Sequence, residues 1–318
     1  MRTINSKPVL TAFSEPSIWE GILVVDKPAG MTSNRVLQIL RKIADLQKMG
    51  HLGTLDPIAT GVLPVCIGWA TKIIPFIPDH TKGYRAVMVL GKNTDTQDAT
   101  GQVITTCQCA LPDRKRIEEV FKEFIGLQDQ VPPSFSALKY KGKPLYHWAR
   151  RGIPIVKPPR LITIDSIKTL HMEGERVAFE VFCSPGTYIR TLCNDVGDRL
   201  GCGAYLEELQ RIQSGPFILS QALTLERIQN TSFREEIEAF KIPIGKILQN
   251  LPQICVQWQW KEKIKQGGFL TPDQGISPWP QVEPGVPICV KSPKDELWAI
   301  YQRERDAKLI FKPIRVII

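Results

Sequence analysis

The chain has no Cys-x-x-Cys pair, and its four histidines, His51, His80, His147 and His171, stand far apart. A structural zinc site needs thiolates and imidazoles close in sequence, so this dispersal argues against a zinc-binding architecture and predicts no metal. The eight cysteines are spread between Cys66 and Cys289. Several stand inside apolar runs, such as Cys66 within Val62–Ile67, where a small buried hydrophobe suffices, and no disulfide framework is expected. Long apolar runs are missing too. Nothing approaches the roughly 20 residues of a membrane-spanning helix. The stretch through Glu20 lacks the apolar core of a secretory signal. These absences predict a soluble intracellular protein with no membrane partner. No internal repeat or low-complexity tract is present.

Acidic residues are locally absent. Between Val131 and Arg160 there is no Asp or Glu, but there are seven cations: Lys139, Lys141, Lys143, Arg150, Arg151, Lys157 and Arg160. The whole chain carries a formal charge of +9, which points to an anionic partner. Phe135, Tyr140, Tyr146 and Trp148 are interleaved with these cations. Such a segment can pair phosphates and stack exposed bases, as RNA-binding arms do. A solvated surface with inward-packed rings is the other reading, and the lack of any acid favours binding.

At 318 residues the chain is long enough for a large unit and a small one. Residues 1–20 show no periodicity and read as a loose arm. Gly21–Asp26 is a compact apolar run and reads as a buried strand. Thr32 or Ser33 can cap a helix with apolar positions at Val36, Leu37, Leu40, Ile43 and Ala44, ended by Gly50. A Gly- and Pro-punctuated loop over 51–61 follows, then a strand over Val62–Ile67. Further strands are expected at Tyr84–Leu90, Leu161–Ile167 and Val177–Cys183. Helices are expected around Ile117–Ile125, Ile189–Leu200 and Phe233–Asn250. The mixture predicts an α+β fold rather than regular βαβ winding. Beyond residue 251 the runs Val286–Val290, Leu297–Tyr301 and Leu309–Phe311 suggest a small β-rich, barrel-like module.

The loop His51-Leu52-Gly53-Thr54-Leu55-Asp56-Pro57-Ile58-Ala59-Thr60-Gly61 sets one carboxylate among small residues. Alone, Asp56 before proline suits a turn or a helix start equally well. The wider pattern carries more. This loop, with Val62-Leu63-Pro64-Val65, closely resembles the catalytic motif of bacterial tRNA pseudouridine-55 synthases of the TruB type. Gly21–Ser33 resembles the family's N-terminal motif, and Tyr84-Arg85 leading to Gly91–Asp98 resembles its next one. Gln130–Lys139 and Gly186-Thr187-Tyr188-Ile189-Arg190 continue the series in order, so the resemblance runs from about residue 21 to 217. Five ordered blocks are far more specific than one motif.

The resemblance implies a pseudouridine synthase fold with a mixed, largely antiparallel sheet over 21–250. It also implies an RNA-binding insertion at about 130–160 and a PUA-like RNA-binding domain over 251–318. It implies isomerisation of uridine 55 in the tRNA T-loop without a cofactor or an obligate protein partner, in the cytoplasm or an organelle matrix, and a monomer is the default expectation. Asp56 matches the nucleophile, Arg190 the guanidinium that lowers its pKa and orients it, and Tyr84 the tyrosine against the target base. His51 matches the histidine that fills the position vacated by the flipped base, and Leu209 a leucine walling the uracil pocket. Tyr188, Lys27, Lys139, Lys141, Lys143, Arg150 and Arg151 complete the expected substrate- and RNA-binding set. Gln210 departs from the family, which commonly has a second arginine before the equivalent of Arg211.

One carboxylate suffices chemically. Cleaving the bond from ribose C1′ to uracil N1 develops positive charge on the sugar, which a carboxylate stabilises or traps. The base must stay in the pocket, so no second carboxylate is needed to activate water. From the residues alone, Arg190 also suits a surface ion pair at a helix start, Tyr84 and Leu209 ordinary core (Leu209 in a helix), and His51 a loop. Two rival functions share the blocks: a noncatalytic RNA-binding or tRNA-folding protein, and a guide-RNA-dependent synthase acting on ribosomal RNA.

Overall fold

The computed structural model describes residues 20–78, 80–230, 239–272, 279–304 and 310–318. The expected arm over 1–20, apart from Glu20, lies outside them. So do 233–238 of the expected helical stretch and Leu309 of the last apolar run. The described remainder of that stretch contains a one-turn helix, Ile244–Ile247.

Gly21–Lys27 is a strand in which successive side chains point to opposite faces. Ile22 and Val24 enter one core while Leu23 and Val25 enter another. Burial on both faces explains why this segment reads as a continuous apolar run rather than an alternation. It pairs antiparallel with Thr60–Ile67, in register from Gly21↔Ile67 to Lys27↔Gly61. The main sheet continues through Ala204–Ser214, Lys82–Leu90, Arg176–Cys183 and Arg160–Glu173 to the edge strand Gly126–Gln130. Among these the pair Thr60–Ile67 with Ala204–Ser214 is parallel and the rest antiparallel. The short strand Leu223–Thr224 closes the other edge. A mixed, largely antiparallel sheet in an α+β fold is what the sequence predicts.

Three helices cover one face: Ser33–Ala44, Arg114–Glu123 and Ile189–Leu200. Val36, Leu37 and Leu40 of the first, Ile117, Val120 and Phe121 of the second, and Leu192, Cys193 and Val196 of the third share its core. The first helix ends earlier than expected. Asp45 stops it in the left-handed conformation at φ 50°, while Gly50 lies in the short strand Met49–His51. The opposite face of the sheet packs Ile22, Val24 and Val62 against Cys289, Ile300 and Ile317.

The last three come from the C-terminal region, where Gln253–Cys255, Pro287–Lys291, Leu297–Arg303 and Phe311–Val316 form a separate four-stranded sheet. Trp298, Tyr301 and Phe311 are fully buried in its own core. Of the free cysteines only Cys255 is exposed. Beside the expectation of no disulfide framework, one bond is present: Cys107 and Cys109 are joined across a single intervening residue. Their sequence neighbourhood carries no apolar pattern and gave no hint of it. Among the described residues no helix is long and apolar enough to cross a membrane.

Candidate active site

The Asp56 loop is held from below by the N-terminal motif. Thr32 caps its helix by accepting from the Arg35 N–H at 3.1 Å, which leaves Ser33 free for another task. The buried Ser33 Oγ accepts from the Leu55 N–H at 2.9 Å and donates to the Leu55 carbonyl at 3.2 Å. The Gly30 N–H donates to the Pro57 carbonyl at 2.8 Å. Lys27 is wholly buried, and its Nζ donates to the carbonyls of Pro28, Met31 and Pro57 at 2.8, 2.6 and 3.3 Å. This corrects its assignment to RNA contact, since its three donors are all engaged inside the protein. Burial lowers the Lys27 pKa to about 8, with Asp56 opposing and Arg211 reinforcing the shift.

Arg190 lies in the first turn of the helix Ile189–Leu200 and is 4% exposed. Its Nε approaches Asp56 Oδ2 to 2.9 Å and its Nη1 approaches Asp98 Oδ2 to 3.5 Å. The Asp56 contact is a close ion pair, in which the guanidinium lowers the carboxyl pKa. Nη1 also donates to the Thr96 carbonyl at 3.2 Å and Nη2 to the Phe135 carbonyl at 3.0 Å. Asp98 is buried and accepts from the Thr96 and Thr100 hydroxyls and the Thr100 N–H. One arginine thus bridges two carboxylates, one anchored and one facing a cavity.

That cavity is about 330 Å³ and is lined by Asp56, Tyr84, Tyr188, Arg190, Leu209 and Arg211 among others. The Asp56 side chain is 35% exposed there. Burial raises its pKa above the ordinary 3.8, Arg190 pulls it back, Asp98 pushes it up again, and Lys27 lowers it. The arginine acts in the expected direction, yet desolvation is the larger effect and the net shift is upward.

Sequence reasoning missed the part played by Arg211. Leu209 and Arg211 lie on the strand Ala204–Ser214, so the helix-core alternative for Leu209 does not hold. The strand runs between Thr60–Ile67 and Lys82–Leu90, with Arg211 opposite Gly61 on one side and Tyr84 on the other. Arg211 is 1% exposed. Its Nε donates to the Val62 carbonyl at 2.7 Å and its Nη2 to the Gly53 carbonyl at 3.1 Å, and its charge acts on Tyr84 beside it, lowering the phenol pKa. Burial raises the Tyr84 pKa, partly offset by Arg211, so the phenol is neutral near pH 7. A sequence signal existed in the Arg211 that ends the Tyr205–Arg211 block, but only the strand order reveals what it touches.

His51 ends the strand Met49–His51, outside the cavity lining. It is half-buried, its Nδ1 has no partner, and burial and Arg211 both lower its pKa, leaving a neutral ring. Lys139, Lys141, Lys143, Arg150 and Arg151 are exposed and also outside the cavity. Lys139–Tyr140 and Lys143–Pro144 form a small hairpin followed by the helix Leu145–Ala149. Tyr140 packs edge-on against Trp148 at 6.1 Å, with Lys157 5.2 Å above the Tyr140 ring. Tyr146 is 42% exposed.

The family model for the TruB pseudouridylate synthase N-terminal domain matches residues 41–189, and that for the tRNA pseudouridylate synthase B C-terminal domain matches 190–251. The chain belongs to the TruB family. The tRNA pseudouridine synthase B of Syntrophotalea carbinolica is 41% identical over 301 residues, covering 93% of this chain and 97% of that one. The tRNA pseudouridine synthase B of Geotalea uraniireducens is 51% identical over 207 residues, 65% and 67% of the two chains. Among solved structures, a chain of an H/ACA RNP bound to a substrate RNA containing 2′-deoxyuridine is 26% identical with a TM-score of 0.70, covering 95% of this chain and 86% of that one. A chain of a Cbf5-Nop10-Gar1 complex is 28% identical with a TM-score of 0.67, covering 94% and 84%. Family membership agrees with the five sequence blocks and with the pseudouridine synthase fold.

Proposed function

We propose that this protein is a stand-alone, cytoplasmic tRNA pseudouridine synthase that isomerises uridine 55 of the T-loop, with Asp56 as nucleophile. The observation that carries this reading is the Asp56–Arg190–Asp98 bridge at a cavity wall, in a chain so similar along its length to the tRNA pseudouridine synthase B of Syntrophotalea carbinolica. The target base is stacked in the folded T-arm, so it must flip out, at about a few kcal/mol. His51, as a neutral half-buried ring, suits the vacated position. Leu209 and Tyr84 wall the cavity that receives the base.

A carboxylate oxygen of Asp56 bonds to ribose C1′ as the C1′–N1 bond breaks and its electron pair passes to uracil N1. The uracil turns within the closed pocket. C5 then bonds to C1′ and the Asp56 oxygen departs, restoring the carboxylate. The C5 hydrogen is lost as a proton and N1 gains one, so the sum is an isomerisation needing no oxidant, reductant or cofactor. Arg190 keeps Asp56 charged and aimed despite its burial. The exposed cations of 131–160 grip the T-arm backbone, and the C-terminal sheet from about residue 251 serves as a PUA-like RNA-binding domain.

The test uses a T-arm hairpin labelled with tritium at uridine C5, with no guide RNA, partner or metal added. The wild-type chain is expected to release tritium and Asp56→Asn to release none, with both binding the hairpin. Binding without release by the wild type would instead favour a noncatalytic or guide-dependent role.

A further inference from the structure

The helix that carries Arg190 has no side-chain cap of its own at Tyr188. The first N–H groups of a helix lack intrahelical partners, so another group must hold this end. Gln130 does so from a distant part of the chain. It is 3% exposed. Its Oε1 accepts from the Tyr188 N–H at 2.8 Å, and its Nε2 donates to the Tyr188 carbonyl at 3.0 Å. That carbonyl also accepts the first intrahelical bond, from the Leu192 N–H at 3.0 Å. The amide grips both polar atoms of one residue, two positions before Arg190.

Gln130 is the last residue of the edge strand Gly126–Gln130, and its cross-strand partner is Arg160. These two residues bracket the basic segment, and both reach the same tyrosine. The Arg160 guanidinium lies 4.7 Å over the Tyr188 ring. Within the segment, the Phe135 carbonyl accepts from Arg190 Nη2. The start, the early part and the end of the basic segment therefore all converge on Tyr188 and Arg190. A segment placed only to grip RNA would require none of these contacts.

We infer that Gln130 is a positioning residue of the active site, through which the root of the basic segment sets the first turn of the Arg190 helix and so the approach of Arg190 to Asp56. The inference rests on the synthase reading above. The Arg190–Asp56 contact is a single close approach, of Nε to Oδ2 at 2.9 Å. A small rotation of the turn lengthens it directly. Misplacements of about 1 Å at a reacting group cost rates on the order of 100-fold.

The test compares wild type with Gln130→Met, which keeps side-chain length and removes both hydrogen-bonding atoms. Three readouts are taken: single-turnover tritium release on tRNA with tRNA affinity, the pH dependence of that rate, and amide hydrogen exchange at Tyr188. The expected result is a rate ~10- to 100-fold lower with affinity changed less than about twofold. The acid limb should move to higher pH, because Arg190 no longer lowers the Asp56 pKa as effectively, and Tyr188 exchange should accelerate. Gln130→Glu supplies a second, conservative variant. Its carboxylate accepts from the Tyr188 N–H but has nothing to donate to the carbonyl, whereas its protonated form can do both. Its deficit relative to wild type should therefore shrink as pH falls. A folded Gln130→Met with an unchanged acid limb and unchanged Tyr188 exchange would overturn the inference while leaving the synthase reading intact. An inactive wild type would overturn that reading, and Tyr188 exchange would still decide whether Gln130 positions the turn.

Discussion

Asp56 is placed in a setting that disfavours its own charge. Burial raises its pKa and Asp98 adds to the rise, while Arg190 and Lys27 oppose it. A carboxyl whose folded pKa exceeds its unfolded value contributes stability at low pH that is lost as pH rises through the folded pKa. Above that window the charge strains the native state. Asp56→Asn, which resembles the neutral acid, is therefore expected to abolish isomerisation without lowering Tm at pH 7, checked by scanning calorimetry. Direct titration of Asp56 by carbon-13 NMR should give a value above 3.8 in the wild type. In Arg190→Met it should be higher still, because the strongest opposing charge is gone. The identity of this aspartate was legible in the sequence through the motif around it. The direction of its net shift was not, because desolvation depends on what packs over the loop.

At the scale of elements, the site depends on one close approach between neighbouring strands. Gly61 has φ +94°, and a Cβ there would overlap the backbone of Arg211 on the adjacent strand. Gly53, at φ +86°, would meet only the Arg211 Nη1 at 3.5 Å, an ordinary contact. Both alanine substitutions incur the positive-φ penalty of about 1–2 kcal/mol, but only Gly61→Ala must also separate two strands. The expected order in urea unfolding is wild type, then Gly53→Ala, then Gly61→Ala well below both, with Gly61→Ala also losing activity as Arg211 leaves Tyr84. The expected strands Gly21–Asp26, Val62–Ile67 and Val177–Cys183 each lie within observed strands, because their apolar patterns reflect burial in the sheet. Leu209 sits on a strand rather than in the helix core that the residues alone also allow, because the mixed polarity of Tyr205–Arg211 suits either period and its strand partners lie far away in sequence.

Across the whole molecule, charge is distributed by task. Three buried cations, Lys27, Arg190 and Arg211, hold the active-site loops, while Lys139, Lys141, Lys143, Arg150 and Arg151 remain exposed along the hairpin and just beyond the helix of the basic segment. Only the exposed group can exchange counterions for phosphates. Replacing Lys139, Lys143 and Arg150 with glutamine should therefore weaken tRNA binding and flatten its dependence on salt. Each lost phosphate contact should reduce the slope of log affinity against log salt by about 0.7 to 0.9, measured by filter binding between low and moderate salt. The rate at saturating tRNA should stay near the wild-type value, since these side chains do not line the cavity.

By itself the sequence determined the family and the candidate site: an aspartate in a recognisable loop, an arginine and a tyrosine in ordered blocks, a cation-rich segment free of acids, and strands whose apolar runs require burial on both faces. These are local or additive properties, which survive being read one residue after another. Tertiary structure alone decided that Lys27 is spent inside the protein, that Arg211 links the Asp56 loop to Tyr84, that Asp98 shares Arg190 with Asp56, and that Gln130 holds the turn beside them. Each of those outcomes depends on strands adjacent in space but distant in sequence, and on how much water their packing leaves around a charge.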